Sequence, residues 1–123
     1  MSQGLHSPEK QAERILVEGS GGQCTPLLDT QTYAEWVMQE QLPVLLVVGV
    51  RLGYIINHAI FTADAVQVCG LRLAGWIAND IEESPDKYHL SYISTLKQRI
   101  SALFLGEIPC CLMQHSAWTA VNL

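Results

Sequence analysis

The sequence predicts an α/β fold, a partial parallel sheet flanked by helices, and three observations predict it. Short apolar runs alternate with longer stretches of helical spacing along most of the 123 residues, the pattern of strands joined by crossover helices. VLLVVGV, residues 44–50, is apolar at every position, as a central parallel strand covered on both faces must be. Four apolar stretches run out into VEGSGG, VVGV, WIAND and GEIP. Open parallel sheets bind ligands just beyond the carboxyl ends of their strands, so four such ends point to a site on one edge of the fold.

Each element follows in order. Residues 1–13 form a polar lead. ILVE, 15–18, is a short apolar strand, and residues 19–29 are a loop built on Gly, Thr-Pro and Asp as turn formers. From Asp29 or Thr30, either of which suits a cap, Tyr33, Trp36, Val37 and Glu40 recur at helical spacing to Gln41, and Pro43 ends that helix. After the 44–50 strand, 57–68 reads as an Ala-rich helix with Gly70 placed as its C-terminal cap. LRLAGWIAND, 71–80, is the next strand. A helix lies within 84–99, starting beyond Pro85, and ALFLGEIP, 102–109, is the last strand and exit. The alternation calls for right-handed crossovers. With no internal repeat and no linker, residues 1–123 form one domain whose tail, 110–123, lacks a clear pattern.

Composition narrows the function. The net charge is −5 and the seven basic residues are scattered, which argues against nucleic-acid binding, where Lys and Arg must face phosphates. The longest apolar run, Leu42 to Val50, falls far short of the roughly 20 residues that span a bilayer. The opening MSQGLHSPEKQAER has no apolar signal-peptide core, so a cytoplasmic location is expected. The four cysteines show no CxxC spacing and no pairing with His6, His58, His89 or His115; free thiols, and no metal-thiolate site, are expected. Trp36, Trp76 and Tyr33 are assigned to core or dimer contacts, and His58 to a packed or capping position.

The blocks VEGSGG, TYAEWVMQEQLPVLLVVGVRLG, INHAIFTADAV, GLRLAGWIAND and LGEIP, in that order, resemble dethiobiotin synthetase, the ATP-dependent family of biotin synthesis. The resemblance runs from about Ile15 to about Pro109 and rests on the order and wording of five blocks. It implies the C-terminal portion of a P-loop NTPase-like fold. It also implies ureido ring closure of 7,8-diaminopelargonic acid with carbon dioxide, driven by ATP and Mg2+, in a homodimer. Phosphoryl transfer needs phosphate cradling, a metal and positive charge. On the matching positions, Glu18 would serve the magnesium, which favours hard carboxylate oxygens. Gly19, Ser20 and Gly21 would line the nucleotide loop, Asn79 and Asp80 would lie near the adenine, and Pro109, Cys110 and Cys111 would fall on the segment lining the base.

The departures are as informative. The family's Gly-rich turn ending in Lys-Thr, which holds the phosphates, has no counterpart in the 123 residues, nor does its catalytic lysine or a second metal-binding Asp. Ser20 stands where Ala is usual, Cys110 and Cys111 replace an aromatic and an aliphatic, and no acid follows near Ser116. RLGYIINHA carries one residue more than the family's spacing between Gly53 and Asn57. No residue of the chain is therefore assigned a catalytic role. The chain by itself is expected to be inactive and to lack an N-terminal half. The alternative reading is a non-catalytic truncated remnant, or an interaction module that dimerises through the 57–68 helix.

Overall fold

A computed structural model describes residues 13–18, 22–51, 55–84 and 87–110. The chain divides into two units at Leu42 and Pro43.

In the first unit, β1 (Pro26–Leu28) pairs antiparallel with β2 (Gln31–Thr32) as a short hairpin, which leads directly into α1 (Tyr33–Gln39). The sequence places the helix cap at Asp29 or Thr30; the observed cap is Thr32. Its hydroxyl accepts from the Glu35 backbone N–H at 3.3 Å, and the Glu35 carboxylate accepts from the Thr32 N–H at 2.7 Å. This reciprocal box satisfies two otherwise orphaned donors, so it outcompetes a cap two or three residues earlier. The helix ends in a left-handed turn. Gln41, at φ 55°, donates to the Met38 carbonyl, and Leu42 donates to that of Val37, the Schellman arrangement that glycine usually closes.

Residues 15–18 are a correction to the expected strand: they form no strand, and Leu16 is 82% exposed. Apolar residues make a strand only where a neighbouring strand accepts their hydrogen bonds, and no described residue pairs with them. The expected 19–29 loop contains β1, a hairpin strand too short to show a periodicity.

The second unit holds β3 (Val44–Val50), α2 (Ile55–Val68), β4 (Leu73–Asp80), α3 (His89–Arg99) and β5 (Phe104–Ile108). The three strands form a parallel sheet in the order β3-β4-β5, so the expected α/β class and strand direction hold. The expected central strand 44–50 is instead the edge strand among the described residues, with Val47 56% exposed, because β4 takes the middle place. Gly70, at φ 75°, closes α2 with the same turn that ends α1: Gly70 donates to the Gln67 carbonyl and Leu71 to that of Val66.

The core lies on one face of this sheet. Val48 and Val50 of β3 and Trp76 and Ala78 of β4 meet Ala59 and Ala63 of α2, Ile93 and Leu96 of α3, and Ile100 beyond it. Small alanines one turn apart let α2 approach the sheet closely. Trp76 is fully buried, with its ring centroid 4.5 Å from that of Phe104. The Lys97 ammonium caps the same phenyl ring at 4.4 Å.

The register fixes which side chains reach the helices. β4 pairs evenly with β3 beyond Leu45, but its pairing with β5 slips: Phe104 faces Trp76 while Gly106 faces Ile77. The slip is a bulge, and Gly106 takes φ 147° to make it. Side chains alternate along a strand, so three residues after Phe104 an unbulged β5 would turn Glu107 to the opposite face. The bulge restores it to the helix-covered face, in register with Ala78.

Trp36 and Trp76 are both buried, in keeping with a core role. Of the packed or capping position expected for His58, the packed one does not hold: it is exposed, because the buried stripe of α2 runs through Ala59, Ala63 and Val66 instead. Among the described residues no helix is long and apolar enough to cross a membrane.

Candidate functional site

The strand ends gather three chemistry-bearing side chains within the second unit. Asp80 is the last residue of β4 and shares the face of Trp76 and Ala78, toward the helices. Glu107 comes to that face through the β5 bulge. His89 opens α3, whose first turn lies over those strand ends. The His89 Nε2 contacts the Glu107 Oε1 directly and stands 3.7 Å from the Asp80 Oδ1. One donor atom from each residue lies within 4.8 Å of the others. Asp80 and His89 side chains are each only 14% exposed, Glu107 34%.

The electrostatics of this trio are unbalanced. Two carboxylates face one imidazole, which can supply at most a single positive charge. The Asp80 Oδ1 is buried and accepts no hydrogen bond, an expensive position for a carboxylate oxygen. Burial pushes the Asp80 carboxyl up to about 6, the neighbouring Glu107 carboxyl pushes it the same way, and His89 opposes them.

The residues named from the sequence fall into distinct places. Asn79 precedes Asp80 on β4, so strand alternation turns its side chain to the opposite face; it is half-buried, in register with Gly49 and Ile108. Asp80, read from the sequence beside Asn79 as a nucleotide neighbour, has its carboxylate among His89 and Glu107. Pro109 is exposed, and the Cys110 thiol donates to the Ile81 carbonyl at 3.3 Å, so the exit of β5 lies against the exit of β4. Glu18 belongs to the first unit, where it is exposed. Gly19, Ser20, Gly21 and Cys111 lie outside the described residues. Arg51, just past β3, stands 3.7 Å from Glu82.

Sequence reasoning did not single out His89. Glu107 was legible as an acid closing an apolar run in GEIP, but nothing local joined it to a histidine 18 positions earlier. The signal available was the pair of strand-end acids in WIAND and GEIP with a helix between them.

Comparison with known proteins agrees with the fold and with the order of the motifs. The profile of the AAA domain family matches residues 1–112. Over 109 residues, 89% of this chain, it is 60% identical to the ATP-dependent dethiobiotin synthetase BioD of Pseudescherichia vulneris, covering 45% of that protein. Over the same length it is 59% identical to the ATP-dependent dethiobiotin synthetase BioD 1 of Escherichia coli strain K12, covering 48% of it. Over 100 residues it is 54% identical to the ATP-dependent dethiobiotin synthetase BioD of Serratia marcescens, covering 44% of that protein. The chain thus spans about half the length of the curated relatives it matches. With a helix-flanked parallel sheet and a family profile that runs through nearly all of its residues, the chain belongs to the AAA domain family.

Proposed function

We propose that this chain is the C-terminal part of a dethiobiotin synthetase-type protein of biotin biosynthesis. The complete unit would close the ureido ring of 7,8-diaminopelargonic acid with carbon dioxide at the expense of ATP, with Mg2+ as its metal. The observation that carries this reading is the 60% identity to such a synthetase over 89% of the chain. In this reading the chain works in the cytoplasm as the C-terminal part of each protomer of a homodimeric enzyme and supplies part of the nucleotide site. Glu18, an exposed carboxylate, offers the hard oxygen that magnesium favours. Gly19, Ser20 and Gly21 are small residues that would give the phosphates room. Asn79 offers an amide that can both donate to and accept from a base. Pro109, Cys110 and Cys111 flank that base.

The 123 residues contain no Gly-rich Lys-Thr turn. Phosphoryl transfer rests on positioning and charge neutralisation, so this chain by itself is expected to make no dethiobiotin. The test supplies purified chain with diaminopelargonic acid, bicarbonate, ATP and magnesium and follows dethiobiotin by mass. No product is expected until the part of the Pseudescherichia vulneris synthetase that this chain does not cover is added as a separate polypeptide. Turnover should then appear and vanish with Glu18→Ala. Turnover by the chain alone overturns its inactivity; no turnover with the added half overturns the synthetase reading. A non-catalytic dimerisation module is the second reading. One observation favours it: α2 leaves Phe61 70% and Val68 87% exposed, on the helix that the resemblance assigns to dimer contacts. A dimer by sedimentation that never supports turnover would select it.

A further inference from the structure

We propose that Asp80, His89 and Glu107 form a binding site for a divalent first-row transition cation of the zinc class. The site is built within the second unit, and each ligand comes from a different element: the end of β4, the start of α3 and the bulged part of β5.

Three features carry the assignment. The donor set is one imidazole nitrogen and two carboxylates, which suits zinc, manganese or cobalt better than magnesium, whose preference is for oxygen alone. The donor atoms already lie within 4.8 Å of one another. Around a tetrahedral ion at ordinary bond lengths they would stand roughly 3.3 Å apart, so side-chain rotations suffice. The charge is short of a cation: the buried Asp80 Oδ1 lacks a hydrogen-bond partner, and a single imidazole cannot offset two carboxylates. A dication bound here supplies that oxygen with a partner and leaves its remaining coordination position to water.

The site also has a structural reason to exist. The Gly106 bulge is what returns Glu107 to the face of Asp80, and without it the two acids would project from opposite sides of the sheet. A cation held here ties the ends of β4 and β5 to α3, directly behind Asn79 on the same strand.

The experiment uses the full chain stripped of metal and kept reduced. It is titrated with Co2+ by visible absorption and with Zn2+ by calorimetry. The expected result is one ion per chain, with d–d absorption of tetrahedral or five-coordinate intensity. His89→Gln and Glu107→Gln should each weaken binding by at least about tenfold, while Cys69→Ser leaves it unchanged. Far-UV circular dichroism of each variant separates loss of a ligand from loss of fold, and the unmodified chain decides the matter by itself if neither variant folds. No binding by the unmodified chain overturns the proposal. So does binding that survives in both folded glutamine variants, or a thiolate-to-cobalt charge-transfer band, which would place the ion on cysteines. None of these outcomes depends on dethiobiotin formation, so the proposal stands or falls apart from the synthetase reading.

Discussion

Asp80 shows how much one side chain's surroundings can change its behaviour. An ordinary carboxylate paired with cations stabilises a fold above its own titration range. Asp80 does the reverse. Its folded-state value lies near 6 against 3.8 unperturbed, so the folded chain binds a proton there that the unfolded chain has released. Its contribution is complete below about pH 4 and is lost as pH rises through 6. Melts of the metal-free chain between pH 4 and 7 should show the unmodified protein losing stability relative to Asp80→Asn as pH rises. The difference should reach up to about 3 kcal/mol, the size of a two-unit shift. A relative gain over that window would mean that His89, not burial and Glu107, governs the carboxyl.

At the scale of the element, the β5 bulge decides the site. Gly106 sits at φ 147°, a region that a side chain enters only with strain. Gly106→Ala should cost on the order of 1–3 kcal/mol of stability, measured by urea unfolding. If strain is relieved by straightening the strand, Glu107 turns away from Asp80, and the pH dependence assigned to Asp80 weakens with it. An alanine variant with unchanged stability and unchanged pH response would show that the bulge does not need glycine. The helices illustrate the complementary case. Both α1 and α2 end in the same left-handed turn, but one uses Gly70 and the other Gln41. A glycine announces such a turn in the sequence; a glutamine does not.

For the second unit as a whole, stability rests on a single face of a three-stranded sheet, and Trp76 is its largest fully buried side chain. It packs on Phe104 across the β4–β5 pair and lies over the helices' buried stripe. Trp76→Ala should lose about 3–5 kcal/mol, the transfer and cavity cost of a buried aromatic, which approaches the whole stability of a small domain. Thermal or denaturant unfolding followed by circular dichroism measures it. A loss under about 1 kcal/mol would mean that the face repacks freely. The sheet's other face is unevenly covered, with Val47 56% exposed and Ile77 buried.

The sequence by itself determined the α/β class, the parallel direction of the strands and the strand 44–50 to the residue. It did so because an uninterrupted apolar run between turn formers marks a strand, although the run does not signify cover on both faces here, with Val47 exposed. It also placed Gly70 at the end of α2, since few residues but glycine turn left at low cost. Through the wording of its motifs it pointed to dethiobiotin synthetase, a likeness that the comparison with curated proteins bears out, while the profile match establishes the AAA domain family. Only the tertiary structure decided the rest. Residues 15–18 have the composition of a strand but no described partner, and a strand is a property of a pair. Asn79 and Asp80 read as one motif, yet the pleat sends them to opposite faces. Glu107 is legible as a strand-end acid, but its meeting with Asp80 and His89 is silent in the sequence, because it depends on a register slip of one residue between neighbouring strands. Such a slip is set by packing and hydrogen bonding across the sheet, and it leaves no local mark beyond a single glycine.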